Sequence, residues 1–135
     1  MPPERPAFGS PQQWMQYARA DLAMARGPLP EYGMYETLCY HAQQAVEKSL
    51  KAILVAAGVD FPYTHNLQKL LDLLPADIPR SPEVDDSARL SAYAVTTRYP
   101  GEEEPLTEED YREAVRLAEA VVRWAARYLG FDDSA

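Results

Sequence analysis

His41, Gln44, Lys48 and Lys51 recur at spacings of three and four within the run Tyr35–Gly58. On a helix turning about 100° per residue they fall within roughly 80° of one another. They form the most basic patch of an acidic chain, so the stripe has the groups to meet a phosphate or a partner protein. A solvated face on which Glu47 and Lys51 pair at i,i+4 is the simpler reading. The second imidazole, His65, follows Thr64 at a helix start. There it either hydrogen-bonds locally or offers a polar group to a site. Arg98-Tyr99-Pro100-Gly101 closes a further helical stretch. An arginine at a helix C-terminus is electrostatically ordinary. Tyr99 and Pro100 would equally make a rigid, partly apolar wall for a stacked base.

Other chemistries are excluded by spacing. A di-iron centre in a helical bundle needs Glu-x-x-His on facing helices. Leu38 stands three residues before His41 and Pro62 three before His65, so neither histidine qualifies and no metal is expected. No Gly-rich phosphate loop, G-x-S-x-G or H-E-x-x-H occurs. The single cysteine, Cys39, lies on an apolar stripe and reads as a small buried hydrophobe. It rules out an intrachain disulfide and a cysteine-based zinc cluster. Arg112, Arg116, Arg123 and Arg127 share a face of the last helical stretch. Glu108, Glu113 and Glu119 stand at i−4, i−3 and i−4 to the first three, which reads as a solvated, internally paired face.

The elements that must position these groups are all helical. Tyr35–Gly58 contains no proline and no internal glycine. Its apolar or small residues, from Leu38/Cys39 through Ala42, Ala45/Val46, Ser49/Leu50 and Ile53/Leu54, make one buried stripe, and Gly58 stops it. Ahead of it, Ser10-Pro11 reads as an N-cap with proline at the first position of a helix reaching Arg26. "GPLPEYG" is the turn between the two. Thr64 is the expected cap of a short helix ending at Pro75. A fourth helix is expected over Glu83–Thr97. Thr107 with Asp110 gives a capping box for a fifth, from about Leu106 to Leu129, closed by Gly130. No period-two strand is persuasive. The expectation is an all-α, up-down bundle of four to five helices. It occupies residues 10–130, between a flexible Pro-rich tail (1–9) and a short acidic tail (131–135).

The 135 residues fit one domain, and a 47% hydrophobic content is ample for its core. Net charge is −8, with a balance of −1 over residues 1–60 and −7 over residues 61–135. Such a chain does not coat nucleic acid non-specifically, so any RNA or nucleotide contact is a local basic patch. No apolar run has membrane-spanning length and "MPPERPAFGSPQQ" lacks a signal-like apolar stretch; a cytoplasmic protein is the expectation.

Four spaced motifs carry a resemblance. "AQQAVEKSLKAILVAAG", "THNLQKLL" and "YAVTTRYPG", with "WMQYARADLAMA" ahead of them, together resemble the HEPN domain, the higher eukaryote and prokaryote nucleotide-binding family. The resemblance spans about Trp14 to Leu129. It implies a four- to five-helix bundle that usually dimerises. Small prokaryotic members are often encoded beside a minimal nucleotidyltransferase, the pair behaving as a toxin–antitoxin module. The family's recurring polar positions correspond to Arg98, Tyr99, Lys48, Glu47 and His65, which become the candidate nucleotide-binding residues.

Many HEPN proteins are metal-independent RNases, with an arginine, usually a polar residue after it, and a histidine four to six residues later. Here Met34, Tyr35 and Glu36 stand where the arginine would precede His41, and Gly58, Val59 and Asp60 where it would precede His65. Arg98 is followed by "YPGEEEP" with no histidine. The RNase motif is absent. The resemblance therefore implies a homodimeric protein that binds a nucleotide, an RNA or a partner nucleotidyltransferase, with no catalytic residue, metal or cofactor of its own. An RNase toxin with a degenerate site and a dimeric structural adaptor without a small ligand are the alternatives.

Overall fold

The computed structural model describes residues 9–94 and 104–131. Among them every regular element is a helix: α1 (Pro11–Arg26), α2 (Tyr35–Ala56), α3 (Leu67–Leu73), α4 (Pro82–Asp86), a 3-10 segment (Ser87–Tyr93) and α5 (Glu108–Leu129). The fold is the expected all-α bundle. The tail over residues 1–8, the end of the expected fourth helix with Arg98 and Tyr99, and residues 132–135 lie outside the described residues.

Local chemistry sets most of the ends. Ser10 Oγ accepts from Gln13 N at 3.2 Å, and Pro11 gives up no bond at the first helical position. Thr107 and Asp110 exchange hydrogen bonds of 3.1 and 2.9 Å in the capping box that opens α5. Both long helices end in the same way. After α2, Gly58 adopts φ +72 while Gly58 N donates to Val55 O and Val59 N to Leu54 O. After α5, Gly130 adopts φ +75, with Gly130 N on Arg127 O and Phe131 N on Ala126 O. This pairing needs a left-handed residue, which glycine supplies without a Cβ penalty.

Two expected boundaries move. The α3 cap is Asn66, whose side chain accepts from Lys69 N; Thr64 instead holds Asn66 N at 3.0 Å. The fourth helix is only five residues long before the chain tightens into the 3-10 segment. Ser87 sits at that change and donates its hydroxyl to Val84 O at 2.6 Å. A serine bonding back to a carbonyl three residues earlier competes with the α-helical ladder and favours the tighter turn.

α2 is the centre of the bundle. It packs most extensively on α1, then on α5, and also meets α3 and the 3-10 segment. Leu38, Val46, Leu50, Ile53 and Leu54 fill the core with Leu22 of α1, Leu67, Leu70 and Leu71 of α3, Val84, Leu90, and Leu117 and Val121 of α5. Cys39 is buried among them, as expected. The polar stripe expected to be solvated on α2 is largely covered: Gln44 and Lys51 are buried, while the side chains of His41 and Lys48 stay 24% and 21% exposed. Gln43, Gln44, Glu47 and Lys51 are all buried, because α2 is covered on almost every side along its middle turns.

α5 is fastened at its start by Tyr111. Its ring stacks on Tyr35 at 5.3 Å, and its hydroxyl donates to the carbonyl of Ala25, the last buried residue of α1, at 2.7 Å. Burial above all, with Cys39, Tyr35 and Glu119 adding, pushes the phenol above its ordinary range. The raised value means that folding favours the neutral hydroxyl. That contribution is complete below the unfolded value of about 10 and is lost as pH rises through the folded one. Tyr111→Phe is expected to cost about 1 kcal/mol at pH 7. Urea unfolding at pH 7 and at pH above 10 checks the linkage: the parent should lose more stability between the two than the variant, and equal losses would disprove the assignment.

The arginines of α5 behave in part as expected. Arg112 bonds Glu108 at 2.7 Å and Arg116 bonds Glu113 through Nε and Nη2, at 3.0 and 2.8 Å. Glu119 differs: it pairs with Arg26 of α1 at 3.2 Å, joining two helices instead of decorating one.

Candidate functional site

Glu47 lies at the middle of α2 with almost no exposure, and three groups converge on its carboxylate. Lys51 Nζ is 3.0 Å from Oε2; His65 Nδ1 is 2.8 Å and Gln43 Nε2 3.1 Å from Oε1. Residues 43, 47 and 51 sit at i, i+4 and i+8, so one face of α2 carries donor, acceptor and donor in a row. Gln43 is fully used. Its amide nitrogen also reaches His65 O at 3.3 Å, and its carbonyl accepts from Gln44 at 2.6 Å. The Lys51 ammonium lies 5.5 Å from the Trp14 ring and 5.6 Å from the Phe61 ring, which supply negative π-faces where water is excluded. A buried ion pair depends on the further contacts of its two members, here Gln43 and His65 on the carboxylate and the two ring faces beside the ammonium.

His65 is the member that reaches solvent: its side chain is 48% exposed while that of Glu47 is 4%. With Nδ1 held by the carboxylate, the ring has a fixed orientation, and Nε2 is the nitrogen left for a ligand. Tyr63, 91% exposed, meets the His65 ring edge-on at 5.6 Å. Leu67, two residues after His65, donates its N–H to Ser91 Oγ at 2.9 Å, which brings the end of the 3-10 segment against the start of α3.

Lys48 belongs to a second cluster. It bonds one oxygen of Asp21 on α1, and His41 Nδ1 approaches the other at 3.0 Å. The ammonium also lies 5.9 Å from the Tyr17 ring. Of the five candidate residues, Glu47 and His65 are therefore in contact, Lys48 faces α1 instead, and Arg98 and Tyr99 lie outside the described residues. Sequence reasoning missed two members of these clusters, Asp21 and Gln43. Asp21 was visible as a carboxylate on the inward stripe of α1, with Leu22 and Ala25. Gln43 was visible as the i−4 neighbour of Glu47, and the expected i,i+4 pair of Glu47 with Lys51 forms at 3.0 Å.

Residues 11–128 match the model of the HEPN domain. The chain belongs to the HEPN domain family. Two solved structures are similar over nearly their whole length. TT1696 from Thermus thermophilus shares 31% identity at a TM-score of 0.74, covering 87% of this chain and 96% of that one. ST0689, described as an archaeal HEPN homologue, shares 27% identity at a TM-score of 0.69, covering 89% of this chain and 98% of that one. No curated protein matches the sequence. Among the described residues of this HEPN domain, no helix is long and apolar enough to cross a membrane.

Proposed function

We propose that this HEPN protein is a non-catalytic binding component, which takes a nucleotide at the surface where His65 emerges and works as a homodimer with a minimal nucleotidyltransferase in a toxin–antitoxin-like pair of cytoplasmic proteins. The observation that carries this reading is the Glu47–His65 pair. A buried carboxylate, itself saturated by Lys51 and Gln43, holds a half-exposed imidazole in one orientation beside an exposed tyrosine. That arrangement suits recognition: it presents a fixed hydrogen-bonding edge and an aromatic ring.

Lys48 is neutralised by Asp21, so in this reading it shapes the neighbouring wall and Arg98 supplies the cation for phosphate. Tyr99 stacks on the base. Glu47 acts through His65 by fixing its ring.

Titration of the purified protein with ATP, other nucleotides and short RNA tests the proposal. Saturable nucleotide binding is expected, weakened about tenfold or more by Arg98→Ala and by His65→Ala, with RNA left intact in EDTA. RNA cleavage in EDTA that either substitution abolishes would replace this reading with the RNase one. No binding of any nucleotide, and an Arg98→Ala variant that still associates with the nucleotidyltransferase, would leave only the structural adaptor.

A further inference from the structure

A cleft of about 290 Å³ opens at the elbow between α1 and α2, on residues that the nucleotide reading does not use. Its walls are Met24, Pro28, Pro30, Met34 and Leu38, and its polar groups are Thr37 and His41. The volume is near the lower end for small-molecule sites, and a mostly apolar lining with a few convergent polar groups is their usual composition.

Two further features separate this cleft from a chance depression. The first is its rim, which is built stiff. Two prolines fix the backbone, and Gly33 N closes on Pro30 O at 2.8 Å. A Cβ on Gly33 would lie 2.7 Å from the Pro30 ring, so only glycine fits there. The neighbouring Tyr32 is held at φ +63, a left-handed conformation that costs a non-glycine residue roughly 1 kcal/mol or more. A rim fixed in advance does not have to be ordered when a ligand arrives.

The second feature is the histidine. His41 Nδ1 is on Asp21 Oδ1, and the other Asp21 oxygen is taken by Lys48. Both carboxylate oxygens are thus committed, and Asp21 is 13% exposed. A carboxylate holds the proton on Nδ1, so in the neutral ring Nε2 is an acceptor. The cleft therefore combines an apolar body site with a histidine whose ring is oriented from Nδ1.

We propose that this cleft binds a compact apolar alcohol, of alkylphenol size, whose hydrocarbon lies against Met24, Met34 and Leu38 and whose hydroxyl donates to Nε2 of His41. Such a ligand is neutral, which suits a protein of net charge −8.

The probe pair is para-propylphenol and its methyl ether, which differ by the one donor. Titrations at pH 8, above the ordinary imidazole range, are followed by the methyl resonances of the methionines. Met24 and Met34 should shift together and saturate, while the buried Met15 of the α1 core should not. The ether should bind about five- to tenfold more weakly, the effect of one hydrogen bond. His41→Leu should erase that preference, and Thr37→Trp, at an exposed helical position that tolerates bulk, should abolish binding of both probes. Shifts that do not saturate, or an ether bound as tightly as the phenol, would overturn the proposal. So would a preference that survives His41→Leu, or binding unaffected by Thr37→Trp.

Discussion

Replacing Glu47 with alanine should cost about 3–5 kcal/mol, the penalty for leaving a buried charge without its partner. Lys51 is 6% exposed, and its ammonium would keep only the Trp14 and Phe61 ring faces. Those contacts are each worth roughly 0.5–2 kcal/mol and do not replace a carboxylate at 3.0 Å. His65 and Gln43 would lose their acceptor at the same time. Against a total stability of about 5–15 kcal/mol, such a loss removes roughly a fifth of the margin or more. Glu47→Gln keeps the shape and one acceptor oxygen, so its cost should fall between. The informative variant is the double substitution Glu47→Leu with Lys51→Met, which removes both charges. It should recover most of the loss, because desolvating the pair already costs the parent much of what the pair returns. Urea unfolding measures all three. A cost under about 1 kcal/mol for Glu47→Ala would mean that water reaches the pair and that it behaves as a surface contact. The same series bears on function: the double variant leaves His65 without its orienting partner, so nucleotide binding should fall even where stability has returned.

The bundle was legible because its ends are written in local chemistry. Ser10-Pro11, the Thr107–Asp110 box and the glycines at 58 and 130 each act within a few residues of themselves. Helix α1 starts and stops where its caps say. The fourth helix failed for an equally local reason that apolar spacing does not register. Val84, Ala88 and Leu90 suit an α-helix and a 3-10 turn almost equally over so short a span, and the Ser87 hydroxyl decides between them.

The site was harder to read, because its burial is a property of the neighbours. His41, Gln44, Lys48 and Lys51 repeat as a solvated face would, and nothing within α2 says that Trp14, Phe61 and His65 close over that face. Polarity usually reports exposure. It does not where polar groups saturate one another, as Gln43, Glu47, Lys51 and His65 do. The sequence held one usable hint. The stretch runs apolar on one side and carries acid and base at i,i+4 on the other, yet α2 is long and proline-free enough to be the spine, and a spine helix is covered on more than one side. The same reasoning explains Glu119. Its i+4 arginine made an intrahelical pair look sufficient, whereas the packing of α1 against α5 puts Arg26 at 3.2 Å.

Leu50→Ala, one turn from the ion pair on the apolar side of α2, should cost about 3 kcal/mol, within the 2–5 kcal/mol range for a buried leucine. Leu50 has no exposed surface and sits in the core cluster with Val46 and Leu54 one turn away on either side. The void would open where α2 meets its neighbouring helices, and rigid helices on several sides relax into it poorly, which holds the cost well above the transfer free energy of the lost methyl and methylene groups. Leu73→Ala, near the end of the short helix α3 and only partly buried, is the control and should cost half as much or less. If the two substitutions cost the same, α2 is not the spine of the bundle. The comparison with Glu47→Ala then separates the two kinds of holding force. A cavity lined by Leu and Ile stays dry and accepts small apolar guests, so benzene should raise the urea midpoint of Leu50→Ala and leave that of Glu47→Ala unchanged. The two positions are three residues apart on one helix, so their costs should not add in a combined variant. The size of that coupling measures how far the buried polar network depends on the apolar packing beside it.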